Sequence, residues 1–345
     1  MLARAFILAA GLGTRLRPLS LHRPKPLVPI CGVTPLEQAL ALCKARGLAS
    51  VVVNAHHLAA QIQVACERAE GLRIHVQVER PEILGTGGGL RFARDRLDRR
   101  FAVLNADVLC DAPLEALLAD CDLEDVLASM LLRRDVAAER YGIVAADARG
   151  RVVRLSAVAR LEGAEPVHAD THFTGIHALR REALDRVPET GFACIVRSAY
   201  ATLVPEGRVR ARVHAGSWVD LGDPAACLDA NLAALAGRLA LPLDPWERVG
   251  VGLRRVDGEP HPVGDPGRCD LHPGVRLGAP CWVGPGAAVG ADAELGPGTV
   301  IGAGARVGAG ARLVRSVVWD GCSVPPGAQL DRAIVHDGGV LVLPG

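Results

Sequence analysis

Residues 6–31 read FILAAGLGTRLRPLSLHRPKPLVPIC, and the fold is decided where the apolar run gives way to glycine. Phe6 to Ala10 has the pattern of a short buried parallel strand. It breaks at once into Gly11-Leu12-Gly13-Thr14-Arg15. Two glycines let the backbone approach a ligand closely and turn its amides toward an anion. Arg15, Arg17 and Lys25 add fixed positive charge around the same loop. Strand, glycine turn and basic residues together make a place to hold a polyphosphate.

Outward from this stretch, helical and strand patterns alternate. Pro35 to Gly47 has helical apolar spacing with a glycine stop, Ser50 to Asn54 is a β-branched run, His57 to Ala69 is helical, and Leu72 to Val78 alternates as a strand. A second glycine cluster, Glu82 to Gly89, runs into a helix at Leu90 to Leu97. Phe101 to Asn105 is an apolar strand leading to Asp107. This alternation predicts a doubly wound, Rossmann-like α/β sheet, whose ligands bind outside the carboxyl ends of the strands. Both glycine clusters and Asp107 fall at such ends. Residues 126–215 are less regular: strands at Val126 to Leu132, Phe173 to Leu179 and Arg208 to His214, a hairpin around DARG (147–150), and a helix at Ala193 to Leu203. A helix at Ala225 to Ala236 closes a first domain of residues 1–236. Residues 237–270, rich in Pro, Gly and Arg, read as a connector with little regular structure.

Residues 271–345 carry a repeat. Aliphatic residues recur every six positions at Leu277, Val283, Val289, Leu295, Ile301, Val307 and Leu313, and glycine follows the first six of them. Small residues stand two positions before, from Cys281 to Ala311. A six-residue period with one inward aliphatic and a glycine turn predicts a parallel β-helix, in which stacking buries what no single unit could bury. A flexible Gly/Ala-rich linker would not keep the aliphatics in phase.

Composition bounds the partners. The chain of 345 residues has room for two cores, and 39 Lys plus Arg against 38 Asp plus Glu leave a net charge of +1. That balance predicts no binding to nucleic acid or membrane, and 3% aromatic residues leave little for base stacking. The ten cysteines form no Cys-x-x-Cys pair and several lie in apolar segments, which reads as reduced, buried thiols in a cytoplasmic protein and speaks against a zinc site. The first apolar run is too short for a signal peptide, and no stretch reaches the roughly 18 apolar residues of a membrane span.

The glycine loop lacks the Walker lysine, and Leu16 stands where a dinucleotide fingerprint needs its third glycine. What it resembles is the sugar-1-phosphate nucleotidyltransferase (NDP-sugar pyrophosphorylase) family. The resemblance rests on LAAGLGTRLRPL (8–19), PKPLVP (24–29), LGTGG (84–88), LNAD (104–107), FTG (173–175) and WVDLG (218–222), in family order over residues 1 to about 235. Several branches of the family carry a left-handed β-helix after this domain. The resemblance implies transfer of a nucleotidyl group from an NTP, GTP or UTP, to a sugar 1-phosphate, with Mg²⁺ as cofactor. It implies Arg15, Lys25 and Asp107 as catalytic residues and Asp107 with Asp220 as metal ligands. Ala10, Gly11, Gly13, Thr14, Glu79, Gly85, Thr86 and Gly87 would border the nucleotide, and Glu162, Thr174 and Gly175 the sugar.

Each role suits its residue type. Two polyanions must be brought together, so glycine amides, Arg15 and the point charge of Lys25 supply positioning and neutralisation. Carboxylates at Asp107 and Asp220 suit magnesium. An Asp after a strand is often only a turn or cap, but the ordered motifs raise Asp107 above that reading; Asp220 is the weaker of the two, because Asp223 nearby can cap the following helix. His56, His57, His172 and His177 have no metal spacing and read as packing or capping residues. Two departures stand out: Ala106 replaces the usual glycine before Asp107, and Gly163 stands where many members have lysine. The PKPLVP segment and repeat tail lean toward mannose-1-phosphate guanylyltransferase. VVVNAHHLAAQI and GTGGG lean toward uridylyltransferases acting on N-acetylmuramate phosphate. A non-catalytic NDP-sugar-binding regulatory subunit is the reading from another class, and the intact set Arg15, Lys25, Asp107 and Asp220 argues against it. An acyl-transferring tail would need a histidine base, and only His272 and His336 flank the repeat. The tail reads instead as an assembly element of a homo-oligomer.

Overall fold

Apolar runs become strands in the order the sequence sets out. The computed structural model describes residues 2–136, 138–167 and 169–344. They form two units, one of Met1–Leu12 with Ala39–Trp218 and one of Gly13–Gln38 with Val219–Gly345. Strands of the first unit are β1 (Ala3–Leu8), β2 (Ser50–Ala55), β3 (Arg73–Val78), β4 (Leu97–Asn105), β5 (Val108–Cys110), β6 (Ala128–Arg134), β7 (Val144–Ala146), β8 (Val152–Leu155), β9 (Ala159–Arg160), β10 (Thr171–Arg180) and β11 (Val209–His214). A seven-stranded sheet runs β11-β6-β10-β4-β1-β2-β3, and β7-β8-β9 form a small antiparallel sheet. The large sheet is mixed because β10 is antiparallel to both β4 and β6. Phe6, Phe101, Val103 and Tyr200 are buried together in its core.

Register fixes the functional end. Parallel pairing sets Leu8 level with Asn54 on one side and Asn105 on the other. The polar residue ending each apolar run therefore stands at the carboxyl edge, where crossovers leave a crevice. Within β10 the pairing with β6 shifts register between Phe173 and His177, and Gly175 sits in that irregularity at φ +82°. His177 is buried against the Tyr200 hydroxyl and His172 stacks on Tyr141, so these two histidines pack.

Three local expectations are corrected. The second glycine cluster is not a loop before a helix: the helix itself runs Gly85–Phe92. Ala193–Leu203 is not a plain α-helix but a π-helical turn, Val196–Tyr200, followed by Ala201–Leu203. Residues 237–270 hold regular structure, a turn at Pro245–Arg248 and an antiparallel hairpin of Val251–Val256 with Glu259–Gly264. Asp257 and Gly258, both at positive φ, form its two-residue turn.

In the second unit the repeat folds as parallel strands stacked in three sheets, as the six-residue period predicts. Val283, Val289, Leu295, Ile301, Val307 and Leu313 are buried in one column. Cys281 pairs with Thr299, eighteen residues on, but Val300 pairs with Val317, seventeen on. One residue is dropped after Leu313, so the phase seen in the sequence ends there while the stack continues through Val318, Val324 and Val335. The segment 13–38 is fastened to this unit. Cys31 N–H donates to Asn231 Oδ1 at 2.8 Å, and Gln38 and Leu243 exchange two hydrogen bonds of 2.9 Å. Gly32, at φ +73°, leaves room for the Trp282 ring, which a Cβ there would meet at 2.5 Å. Arg23 lies over the Trp319 ring and pairs with Asp337 at 3.1 Å.

Candidate active site

In the first unit, a cleft of about 170 Å³ opens at the carboxyl ends of the central strands. Ala10, Gly11, Gly85, Thr86 and Asp107 line it, together with Asn54 and Asn105. The structure thus brings together five of the residues the sequence points to, from three separate motifs. Ala106 is fully buried before Asp107, and its N–H donates to the Leu8 carbonyl at 3.0 Å. Its methyl group is accommodated within the packing.

Beneath the cleft runs a buried polar relay. Ala9 N–H donates to Asn54 Oδ1 at 2.7 Å, Asn54 Nδ2 donates to Glu79 Oε1 at 2.8 Å, and Leu84 N–H donates to Glu79 Oε2 at 2.7 Å. Glu79 is 2% exposed. Its carboxylate ties the first glycine turn to the second from below, each oxygen accepting one of these hydrogen bonds. The Gly87 N–H donates to the Ala193 carbonyl at 2.8 Å. A Cβ at Gly85 or Gly88 would stand 2.7 Å from a carbonyl oxygen of 191–193, so the glycines of this helix let it press on that segment. Thr86 accepts from the Ile195 N–H at 3.0 Å through its hydroxyl.

Of the residues expected at the sugar, Gly175 touches the cleft's wall: a Cβ there would come 2.4 Å from Asn105 Nδ2. Thr174 is 1% exposed and its hydroxyl donates to the Leu131 carbonyl at 2.8 Å, so it anchors β10. Glu162 is exposed, and Gly163 beside it sits at φ +70°, a conformation that strains lysine.

In the second unit, Gly13 at φ +61° precedes a single turn, Thr14–Leu16, that presents Thr14 and Arg15 to solvent. Ser20 Oγ donates to the Gly13 carbonyl at 2.7 Å and closes the loop. Lys25 is 8% exposed, with Nζ 3.8 Å from Asp220 Oδ1. A Cβ on Gly222 would lie 2.9 Å from Asp220 Oδ2 and 3.5 Å from Arg15 Nη1, so Arg15 and Asp220 converge on that glycine. Asp223 caps the helix Pro224–Leu235 by accepting from Ala226 N–H at 2.9 Å. Asn54 was not singled out in the sequence; the signal was present, a polar residue closing the run VVVN as Asn105 closes FAVLN.

Glycine turns at the ends of parallel strands, with an acidic residue beside them, mark the first unit as an α/β fold with a ligand cleft at its carboxyl edge. The chain belongs to the nucleotidyl transferase family, which its residues 4–237 match; residues 272–312 match bacterial transferase hexapeptide repeats. It is 32% identical over 232 residues to probable mannose-1-phosphate guanylyltransferase 2 of Arabidopsis thaliana, covering 64% of this chain and 62% of that one. To mannose-1-phosphate guanylyltransferase of Mycobacterium tuberculosis it is 31% identical over 226 residues, covering 64% and 61%. The chain thus matches about three fifths of the length of these curated relatives. Among solved structures, HddC from Yersinia pseudotuberculosis shares the fold with a TM-score of 0.53 at 23% identity, over 67% of this chain and 98% of that chain.

Proposed function

We propose that the chain is a sugar-1-phosphate nucleotidyltransferase that makes GDP-mannose and pyrophosphate from GTP and mannose 1-phosphate. The observation that carries this reading is the cleft at the strand ends, where both glycine turns meet Asp107. An oxygen of the sugar phosphate attacks the α-phosphorus in line. The new P–O bond forms as the bond to the β-phosphate oxygen breaks, and pyrophosphate leaves. Little covalent chemistry falls to the protein, so positioning and charge neutralisation dominate. In this reading Ala10, Gly11, Gly85 and Thr86 border the nucleotide, while Arg15 and Lys25 offset phosphate charge. Asp107 and Asp220 each offer the oxygen donors that a hard cation takes. Mg²⁺, when bound, would neutralise the phosphate oxygens it touches.

The names of the relatives support guanine and mannose. Pyrophosphate release measured across NTP and sugar-phosphate pairs tests the reading. Highest turnover is expected with GTP and mannose 1-phosphate. Preference for UTP with N-acetylmuramate 1-phosphate would overturn the substrate, and no turnover with any pair would overturn the transferase. Asp107→Ala should abolish turnover with the fold intact by circular dichroism; unchanged turnover would remove Asp107 from the reaction.

A further inference from the structure

Cys110, Asp111 and His214 form a second cluster that shares no residue with the nucleotide cleft. The Cys110 Sγ, an Asp111 oxygen and a His214 ring nitrogen lie within 4.8 Å of one another. Two strand ends bring them together: β5 closes at Cys110 and β11 at His214. His214 Nε2 and Asp111 Oδ1 are 2.7 Å apart. Cys110 is 5% exposed, and the other two are half-buried. Gly216 makes the approach feasible. A Cβ there would fall 2.5 and 2.6 Å from the Asp111 oxygens and 2.6 Å from His214 Cε1. An ordinary His–Asp hydrogen bond accounts for two of these groups but not for a thiol sharing their space.

We propose that Cys110, Asp111 and His214 bind a zinc-class divalent cation, with water as the fourth ligand. Zinc takes sulfur at about 2.3 Å and nitrogen or oxygen at about 2.0–2.2 Å, so a tetrahedron spaces its ligand atoms roughly 3–4 Å apart. To reach that spacing the widest separation, at most 4.8 Å, closes by about 1 Å, and the 2.7 Å Nε2–Oδ1 pair opens by about 0.7 Å as its hydrogen bond is exchanged for two bonds to the metal. A thiolate and an imidazole select zinc or cobalt over magnesium, which takes oxygen ligands. Burial and then the Asp111 carboxylate push the Cys110 thiol up to about 12, so the metal displaces the thiol proton as it binds. Arg133, which donates to the Gly216 carbonyl at 2.6 Å, counters only part of that negative charge. The ion would staple the ends of β5 and β11, independently of the proposed reaction.

Titration of Co²⁺ into the metal-free full-length chain tests this by absorbance. About one equivalent should produce the near-ultraviolet thiolate-to-cobalt charge-transfer band and the visible bands of tetrahedral cobalt, removed by Zn²⁺ and not by Mg²⁺. Cys110→Ala should lose the charge-transfer band, and His214→Gln and Asp111→Asn should each weaken binding at least about tenfold. No band in the native chain, or the same band in Cys110→Ala, overturns the site. Should Cys110→Ala fail to fold, the other two variants decide, and native cobalt affinity in both overturns it.

Discussion

Replacing Glu79 by alanine strips the Asn54 amide and the Leu84 N–H of their shared acceptor in a place where only 2% of the side chain reaches solvent. Two unmet buried donors predict a loss of about 3 kcal/mol in urea unfolding, with Glu79→Gln losing less because it keeps one acceptor. A full loss in both variants would mean the charge, not the hydrogen bonding, holds the glycine turns. His177 gives a second test. Burial pushes its pKa down to about 3 from 6.5, so the folded chain refuses a proton that the unfolded chain takes up. Its contribution is therefore complete above about pH 6.5 and is lost as pH falls toward about 3. Between pH 6.5 and 4.5 that is about 2–3 kcal/mol. Unfolding midpoints of the native chain and His177→Gln, each at both pH values, should show a shallower decline in the variant. At this scale Gly11, Gly85 and Asp107 are legible because they stand in an ordered set of motifs at successive strand ends; a lone acid there is as often a turn or a cap. The internal hydrogen bonds of Glu79 and of the Gly87 N–H are not legible in the sequence, which does not say which groups of a turn are taken up inside the protein.

Elements were legible where periodicity is long. The central strands and the coils of the repeat were each set by a run of apolar residues in phase. Packing overrode that signal at Gly85–Phe92, where glycines of low helix propensity are helical because the segment 191–195 presses against them. The turn Asp257-Gly258 was a legible hairpin signal hidden among prolines. Thr34 and Glu37 were another: Thr34 Oγ1 accepts from Glu37 N–H at 3.2 Å and Glu37 Oε2 accepts from Thr34 N–H at 2.7 Å, a capping box opening the helix Pro35–Ala45. The dropped residue after Leu313 explains why the repeat looks shorter in sequence than in space. Leu295 lies in the stacked column, fully buried and paired in register with Leu313. Leu295→Ala should cost about 2–5 kcal/mol by thermal or urea unfolding; a smaller loss would mean the coils close over the cavity.

Over the whole molecule, the loop bearing Arg15 and Lys25 belongs to the same unit as the repeat. Arg23 on Trp319, Glu37 with Arg248 at 2.8 Å and Gly32 on Trp282 are contacts that a chain ended after Ala236 would lack. Such a truncation should speed amide hydrogen exchange across residues 13–38 and reduce turnover. Unchanged exchange there would show that the loop holds its form without the tail. The hairpin at residues 251–264 has a consequence of another kind. A stack of parallel strands has open ends, and nothing in the repeat itself limits its growth into a fibre. Val256 and Glu259 flank the two-residue turn as a paired couple, so Pro260 and Pro262 fall on the outward-facing positions of the edge strand. Neither offers an N–H to an incoming strand. The same prolines that disguise this strand in the sequence deny a further strand its ladder hydrogen bonds along this edge of the stacked sheet.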